Sequence, residues 1–287
     1  MRVDNAIIMA AGTASRFAPI SYEKPKALIT VKGEVLIERQ IRQLKEAGIH
    51  EIIVVTGYKA EQFEYLRKKL GVTLVHNPEY LTKNNHSSIY AVKDYLKNSY
   101  ICSSDNYFLQ NPFENEVANS FYSCVFAKGK TQEWCISEKN GWIENVVVGG
   151  EDSWVMLGHV FWSKSFSGKF ISILEEEYNR PETADKLWET IYIEHIKELP
   201  LAIKKYPDDY IFEFDTLDEL REFDLTYWNN SGSNILKKCA DELGIEEKDL
   251  TQIKAFKDKD NAAAGFTFFA ERNYKYYYKT KQLEVLS

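Results

Sequence analysis

Short apolar runs alternate with amphipathic segments along the first hundred residues of the chain. The runs of strand length cover residues 5–10, 51–56, 72–76 and 100–103. The segments with apolar residues at helical spacing cover residues 35–47, 61–70 and 87–96. A regular alternation of strand and helix is typical of an α/β fold, in which a mostly parallel sheet has helices on both faces. Ligands bind beyond the carboxyl ends of such strands, so we expect the functional residues there.

The pattern changes after residue 120. Stretches rich in aromatic and β-branched residues predict several short strands between residues 121 and 163. The elements expected beyond them are helices near residues 164–178 and 185–197 and a strand at 210–214. Thr216 and Glu219 have the spacing of a capping box, so another helix should begin at that point.

A run of small and polar residues at 229–233 is typical of a linker. We therefore expect a main domain over residues 1–228 and a small α+β extension over residues 229–287. In the extension, the pattern predicts a helix near 234–243 and a hairpin at 266–281.

Composition restricts the class of ligand. The chain has 287 residues and a formal net charge of −7 at pH 7, which argues against binding a nucleic acid. No apolar run approaches the roughly 20 residues that cross a bilayer, so we expect no membrane partner. The four cysteines form no Cys-x-x-Cys pair, which is typical of free thiols in the cytoplasm. A compact anionic ligand stays compatible with this charge.

The loop after the first apolar run carries the strongest chemical signal. Small residues after a buried strand allow backbone N–H groups to approach a phosphate closely. Arg16 can donate two hydrogen bonds to phosphate oxygens, and Lys26 supplies a second positive charge. The residues expected to bind the triphosphate are Ala10, Ala11, Gly12, Thr13, Ala14 and Ser15. The alternative is a solvent-exposed loop with incidental basic residues.

This segment resembles the signature of the sugar-phosphate and choline-phosphate nucleotidyltransferases, in which Ala-Ala-Gly, a small-residue turn, Ser-Arg and then Pro-Lys follow a strand. The resemblance covers roughly residues 5–228 and implies a Rossmann-like nucleotidyltransferase fold. It also implies an enzyme that joins a nucleoside triphosphate to a phosphorylated metabolite and releases pyrophosphate. There is one departure, because the family usually has a second glycine where this chain has Ala14.

Two aspartates follow predicted strands. Asp105 ends the run at 100–103, and Asp215 ends the strand expected at 210–214. The resemblance implies that they hold Mg²⁺, which prefers carboxylates completed by phosphate and water. The alternatives are a turn residue for Asp105 and a helix cap for Asp215, with Glu213 as another candidate ligand. The attacking phosphomonoester has a second pKa of about 6, so the reaction needs no protein base.

The polar segment before the third predicted helix is the candidate site for the nucleobase and ribose. Its candidate contacts are Asn84, Asn85, Ser87 and Ser88. Capping of the helix by Asn85 or Ser87 is the simpler explanation. The segment is similar to an Asn-Asn-x-x-Ser-Leu-Tyr-like stretch of bacterial phosphocholine cytidylyltransferases, and this similarity implies CTP.

Aromatic rings and carboxylates suit a quaternary ammonium group, which has no N–H to donate. The candidate acceptor contacts are Glu133, Trp134, Trp162, Trp188, Glu189 and Tyr192. Core packing is the alternative for each ring. The resemblance favours phosphocholine, which would give CDP-choline and pyrophosphate. 2-Aminoethylphosphonate, phosphoethanolamine and a sugar-1-phosphate stay open as acceptors, and so does a non-catalytic nucleotide-binding regulator.

Residues 234–281 resemble the opening of a choline-kinase N-lobe. The chain stops after the expected hairpin, so we do not expect a working kinase. A role in packing or in a homodimer is the expectation for this extension. Its tyrosines, Tyr274, Tyr276, Tyr277 and Tyr278, predict an exposed apolar face.

Overall fold

The computed structural model describes residues 1–259 and 262–286. The chain forms two compact units. The first unit comprises Met1–Gly12 and Leu36–Phe212, and the second comprises Thr13–Val35 and the chain from Glu213 onward. Each unit is therefore built from segments that are far apart in sequence. Within the described part of the chain, no helix is both long enough and apolar enough to cross a membrane.

The strands, in chain order, are β1 (Asn5–Ala10), β2 (Thr30–Val31), β3 (Glu34–Val35), β4 (Ile52–Thr56), β5 (Thr73–His76), β6 (Ser99–Ser103), β7 (Tyr107–Phe108), β8 (Phe121–Lys139), β9 (Trp142–Trp162), β10 (Ala202–Lys205), β11 (Ile211–Phe212), β12 (Thr251–Lys257), β13 (Ala263–Ala270), β14 (Arg272–Tyr277) and β15 (Gln282–Val285). The α-helices are α1 (Ile20–Glu23), α2 (Leu36–Glu46), α3 (Tyr65–Leu70), α4 (His86–Ala91), α5 (Lys164–Glu177), α6 (Trp188–Glu194), α7 (Leu217–Phe223), α8 (Thr226–Asn229) and α9 (Asn234–Leu243). Short 3-10 helices include Ser15–Phe17, Ala60–Phe63 and Lys93–Tyr95.

The first unit is built on a seven-stranded sheet with the order β10-β8-β9-β6-β1-β4-β5. β1 is parallel to both of its neighbours, with Ile8 opposite Val54 on β4 and Cys102 on β6. β9 is antiparallel to β6, so the sheet is mixed. The expected α/β fold with a mostly parallel sheet is confirmed, and the carboxyl ends of β1 and β6 lead into the loops where functional residues were expected.

The predicted helices form, but three of them are shorter than their patterns suggested, including α6, which covers only Trp188–Glu194 of the expected 185–197. α2 buries Ile37, Ile41 and Leu44 and is followed by Gly48, whose φ of 82° suits only glycine well. The segment expected as one helix over 61–70 is a 3-10 turn followed by α3, and the segment over 87–96 is α4 followed by a 3-10 turn. Tight i to i+3 turns keep the apolar side chains on one face while they break the α-helical hydrogen bonding.

The expectation of several short strands between residues 121 and 163 is wrong. β8 and β9 form one long hairpin. Its register shifts at several points, including between Ala127 and Lys130 and between Thr131 and Trp134. Each bulge adds an unpaired residue and reverses the alternation of apolar and polar positions, so a continuous strand has the sequence pattern of several short ones.

The second unit contains the antiparallel sheet β12-β13-β14-β15 and the helix α9. The hairpin expected at 266–281 is present as β13 and β14, with one more strand on each side. Tyr276 and Tyr278 are buried, so the expectation of an exposed tyrosine face is wrong for these two residues. Their rings pack with Phe266 because it lies on the same face of this small sheet.

The run 229–233 is not a free linker. Ser231 is buried, and both its backbone N–H and its hydroxyl donate to Glu247. The hydroxyl of Ser233 accepts a hydrogen bond from the N–H of Leu236 and so caps α9. Small polar residues favour turns and so have the sequence pattern of a linker, but here their hydrogen bonds anchor the chain.

Candidate active site

The small-residue loop begins where β1 ends. Ala10 and Ala11 are buried, and the carbonyl of Ala11 accepts a hydrogen bond of 3.0 Å from the N–H of Tyr58. A methyl group built on Gly12 would meet no heavy atom within 4 Å. The loop therefore starts from a fixed base and opens at Gly12 into free space, which suits the close approach of a phosphate to the backbone.

Ala14 has left-handed backbone angles, with φ of 46° and ψ of 47°. Glycine adopts this conformation freely, whereas a residue with Cβ is strained in it by about 1–2 kcal/mol. The one departure from the family pattern therefore lies at a position whose backbone favours glycine. Ala14 also begins the 3-10 helix, because its carbonyl accepts a hydrogen bond from the N–H of Phe17.

Both basic residues of the loop converge on one carboxylate. Arg16 contacts Asp215 at 2.6 Å, and the ammonium of Lys26 lies 3.9 Å from the other oxygen of the same side chain. The side chain of Arg16 is 75% exposed and that of Lys26 only 6% exposed. Lys26 is thus a fixed charge and Arg16 an accessible one, and the pair is suited to neutralise phosphate oxygens.

Asp215 is positioned by the start of α7 without capping it. The hydroxyl of Thr216 accepts from the N–H of Glu219 at 3.2 Å, and the carboxylate of Glu219 accepts from the N–H groups of Asp215 and Thr216. The expected capping box is confirmed. Because Thr216 is the N-cap, the alternative in which Asp215 caps this helix is wrong, and the Asp215 carboxylate is directed to cations.

Asp105 lies in a tight turn after β6. The side-chain amide of the fully buried Gln40 donates to the carbonyls of Ser103 and Asn106, each at 2.8 Å. Gln40 was not among the expected site residues. Its signal in the sequence is an amide on the apolar face of α2, beside Ile37 and Ile41, because a buried amide requires partners.

The polar segment at 84–88 is held by contacts that its sequence did not predict. The side chain of Asn85 makes no capping hydrogen bond to α4; its amide oxygen Oδ1 accepts from the N–H of Trp188 at 2.7 Å and so caps α6. Ser87 and Ser88 are buried and accept hydrogen bonds from the amide of Asn77. Asn84 is exposed and donates to the carbonyl of Asp185 at 3.0 Å. The two serines thus support the segment from inside.

Glu189 connects the expected acceptor contacts, to which it belongs, with the expected nucleobase and ribose contacts, to which Asn85 belongs. Its carboxylate accepts a hydrogen bond of 3.0 Å from the amide of Asn85 and another from the hydroxyl of Tyr122. Burial raises the pKa of Glu189 from its ordinary value of 4.5 to about 7, against the opposing effect of these hydrogen bonds. Tyr122 was not singled out in the sequence, and its ring stacks on Trp188.

The expected aromatic contacts divide into core and surface residues. Trp162, Trp188 and Tyr192 are 0–1% exposed and belong to the main hydrophobic core of the first unit. This placement is the one expected of packing residues and is at odds with a direct role in binding. Trp134 is half-buried at the edge of that core, and Glu133 is exposed. A tryptophan in the sequence does not distinguish these cases, because burial depends on contacts between distant segments.

Comparisons with known proteins agree with this fold. Residues 6–153 match the family of MobA-like NTP transferase domains. The choline-phosphate cytidylyltransferase of Streptococcus pneumoniae is 36% identical over 220 residues, which cover 76% of this chain and 96% of that protein. The 2-aminoethylphosphonate cytidylyltransferase of Lancefieldella rimae is 36% identical over 228 residues, which cover 78% of this chain and 93% of that protein.

The solved structure of the CTP:phosphocholine cytidylyltransferase from Streptococcus pneumoniae is similar to this chain, with a TM-score of 0.74 and 36% identity. The match covers 77% of this chain and 97% of that one, so part of this chain lies outside it. The expected Rossmann-like nucleotidyltransferase fold is confirmed. The chain belongs to the nucleotidyltransferase family with a MobA-like NTP transferase domain, within its cytidylyltransferases.

Proposed function

We propose that this chain transfers CMP from CTP to phosphocholine, giving CDP-choline and pyrophosphate, with Mg²⁺ as the metal ion. The observation that carries the proposal is the convergence of Arg16 and Lys26 on Asp215 beside the small-residue loop. Two cationic groups and one carboxylate form the kind of charge arrangement that phosphoryl transfer requires. The similarity to cytidylyltransferases favours CTP, with Asn84 and Asn85 as contacts of the cytidine. A cytoplasmic location stays a prediction.

The chain's own residues position the phosphates. The backbone of residues 10–15 binds the triphosphate, while Arg16 and Lys26 neutralise the charge on its oxygens. An oxygen of the phosphocholine phosphate then attacks the α-phosphorus in line. The new P–O bond forms as the bond to pyrophosphate breaks. No proton has to move to or from the protein, because the attacking phosphate is mostly dianionic at neutral pH.

The carboxylates fit the proposed metal ion. Mg²⁺ is bound by few protein carboxylates and completes its shell with phosphate oxygens and water. Within residues 1–259 and 262–286, no three His, Cys, Asp or Glu side chains cluster in a way that could hold a metal on their own. Asp105 follows β6 and Asp215 follows β11, and the end of a strand is where such a ligand is expected, which supports each as a candidate. The bound ion would offset negative charge on the phosphates.

The ammonium group of the acceptor is proposed to bind near Glu189. A carboxylate with ring faces near it suits a quaternary ammonium group. Tyr122 contacts Glu189, and Trp134 is the half-buried ring among the expected acceptor residues. A primary amine can also donate hydrogen bonds to Glu189, so 2-aminoethylphosphonate is the second candidate acceptor. The carboxylate of Glu189, next to the ring of Tyr122, favours a cationic amine over a neutral sugar.

Pyrophosphate release with a panel of substrates tests the proposal. CTP, UTP, dTTP and GTP would each be combined with phosphocholine, phosphoethanolamine, 2-aminoethylphosphonate and glucose-1-phosphate. We expect the highest kcat/KM with CTP and phosphocholine. Highest turnover with a sugar phosphate would refute the acceptor assignment, and highest turnover with 2-aminoethylphosphonate would select the second candidate.

The variant Asp105→Ala tests whether the protein is an enzyme or a binding regulator. We expect loss of turnover on the order of a hundredfold or more, because charge stabilisation dominates this chemistry. Asp208→Ala is the control, since Asp208 is an exposed aspartate that pairs with Lys128 on the surface. Near-normal turnover in Asp105→Ala would show that the metal assignment is wrong.

A further inference from the structure

The second unit contains residues 13–35, called the nucleotide loop because they include Arg16 and Lys26, and the C-terminal segment, residues 229–259 and 262–286. Tyr22 on α1 stacks on Tyr278, with ring centroids 3.7 Å apart and an angle of 6° between the planes. β12 lies against the 3-10 helix that carries Arg16. The loop that holds the expected phosphate contacts is thus packed directly on the C-terminal segment.

A buried arginine makes a second connection. Arg221 on α7 is fully buried, and its guanidinium donates to the carbonyls of Leu250 at 2.6 Å and Glu247 at 2.8 Å. It also contacts Asp218 at 3.3 Å. A buried charge is tolerated only when it is paired and hydrogen-bonded, so these contacts hold Arg221 in one place. α7 begins at Leu217, two residues after Asp215, and Arg221 ties that helix to the C-terminal segment.

The other end of the loop is fixed to the end of α7 and to α8. The N–H of Lys32 donates to the carboxylate of Asp224 at 2.6 Å, and the hydroxyl of Tyr227 donates to the carbonyl of Thr30. Ala14 holds a strained backbone conformation inside this loop. A strained conformation persists only where its surroundings hold it in place. The contacts of the second unit provide that support.

We propose that the C-terminal segment positions the nucleotide loop, and that the Tyr22–Tyr278 stack and Arg221 are its positioning contacts. The inference rests on the proposed function, because it assigns the loop to nucleotide binding. It gives the C-terminal segment a role in the affinity for the nucleoside triphosphate. Without the stack, the loop populates other conformations. Part of the binding free energy of the triphosphate is then used to restore the binding conformation of the loop, and the Kd rises.

Titration of the full chain with CTP and Mg²⁺ by calorimetry tests the inference. We expect Tyr278→Ala to raise the Kd for CTP by about fivefold, the scale of one aromatic pair. Tyr278→Phe keeps the stack and should bind as the wild type does. Tyr274→Ala is the matched control, because it removes a ring stacked on Phe268 in the same sheet without touching the Tyr22–Tyr278 pair.

A double-mutant cycle separates positioning from general destabilisation. Once Tyr22→Ala is present, the stack is already lost, so adding Tyr278→Ala should weaken CTP binding by no more than the control Tyr274→Ala does, because what remains is the loss of a ring from the same sheet. Arg221→Lys is an independent variant. It keeps the positive charge but cannot donate to the carbonyls of Leu250 and Glu247 at the same time, so we expect it to weaken CTP binding as well.

The results distinguish the two proposals. If the wild type binds CTP and Tyr278→Ala binds it equally well, the positioning role is overturned while the proposed function stands. If Tyr278→Ala weakens binding only as much as Tyr274→Ala does, the positioning role is overturned too. A wild-type chain that binds no CTP in the presence of Mg²⁺ would overturn both.

Discussion

At the scale of single residues, Ala14 shows how one methyl group bears on the site. Its left-handed backbone conformation is strained for alanine and relaxed for glycine. The strain lies two residues before Arg16, in the loop expected to hold the triphosphate. The residue at this position therefore affects how stably the loop is formed, even though its side chain carries no chemistry.

We expect Ala14→Gly to stabilise the protein slightly. Relief of about 1–2 kcal/mol of strain outweighs the roughly 0.5–1 kcal/mol that glycine loses through its more flexible unfolded state. The free energy of unfolding from urea titration should rise by about 0.5–1 kcal/mol. Ala14→Val is the opposing control and should destabilise, because a β-branched residue is disfavoured at positive φ. A less stable Ala14→Gly would contradict the strain assignment.

Glu189 predicts a pH dependence at the acceptor. Its pKa is raised to about 7, so the ammonium meets a charged carboxylate only as the pH rises through that value. We expect the KM for phosphocholine to fall as the pH rises from 6 to 8, measured by pyrophosphate release. In Glu189→Gln, the change in KM near pH 7 should disappear, while the change due to the substrate phosphate, whose pKa is about 6, should stay. Identical profiles would remove Glu189 from the acceptor site.

The same shift affects stability. The folded chain binds the Glu189 proton more tightly than the unfolded chain, so this stabilising contribution is complete below pH 4.5 and is lost as the pH rises toward 7. The unfolding free energy of the wild type should therefore fall more steeply between pH 4.5 and 7 than that of Glu189→Gln.

At the scale of elements, the start of α7 determines where Asp215 lies. The capping box at Thr216 and Glu219 also binds the N–H of Asp215, so the helix start and the candidate metal ligand are formed by the same hydrogen bonds. The start of α9 has a comparable cap at Ser233 but carries no candidate site residue. Removing each N-cap side chain therefore compares a cap next to a candidate metal ligand with a cap that has none.

Thr216→Ala and Ser233→Ala should each lower the free energy of unfolding by about 1 kcal/mol, the usual effect of losing an N-cap side chain. Only Thr216→Ala should also lower kcat/KM, because only that cap lies next to Asp215. Urea titration and pyrophosphate release measure the two effects. Equal losses of activity in both variants would mean that the cap at Thr216 does not position Asp215.

At the scale of the whole molecule, long-range packing separates residues that look alike in the sequence. Trp134 and Trp162 are both tryptophans on the β8–β9 hairpin, but Trp162 is fully buried in the core and Trp134 lies half-buried at its edge. The same packing brings the loop at 13–35 into one compact unit with the chain beyond residue 213. Contacts between segments so far apart in the sequence cannot be predicted from the local periodicity of apolar residues.

We expect Trp162→Ala to destabilise the protein by about 3–5 kcal/mol, because it leaves a large cavity in the core. Trp134→Ala should cost far less stability and should raise the KM for phosphocholine. Thermal unfolding and steady-state kinetics distinguish the two. A variant Trp162→Ala that folds normally and fails only in acceptor binding would return Trp162 to the acceptor site.

The sequence by itself determined the features that depend on neighbouring residues. These are the alternation of strands and helices, the small-residue loop after β1 and the capping box at Thr216. Each depends on local periodicity, backbone freedom or i to i+3 hydrogen bonds, which involve residues only a few positions apart. Only the tertiary structure decided that Asn85 caps α6, that Gln40 holds the turn at Asp105 and that Trp162 lies in the core. Each of these depends on contacts between segments far apart in the chain, and burial and hydrogen-bond partners are properties of that packing.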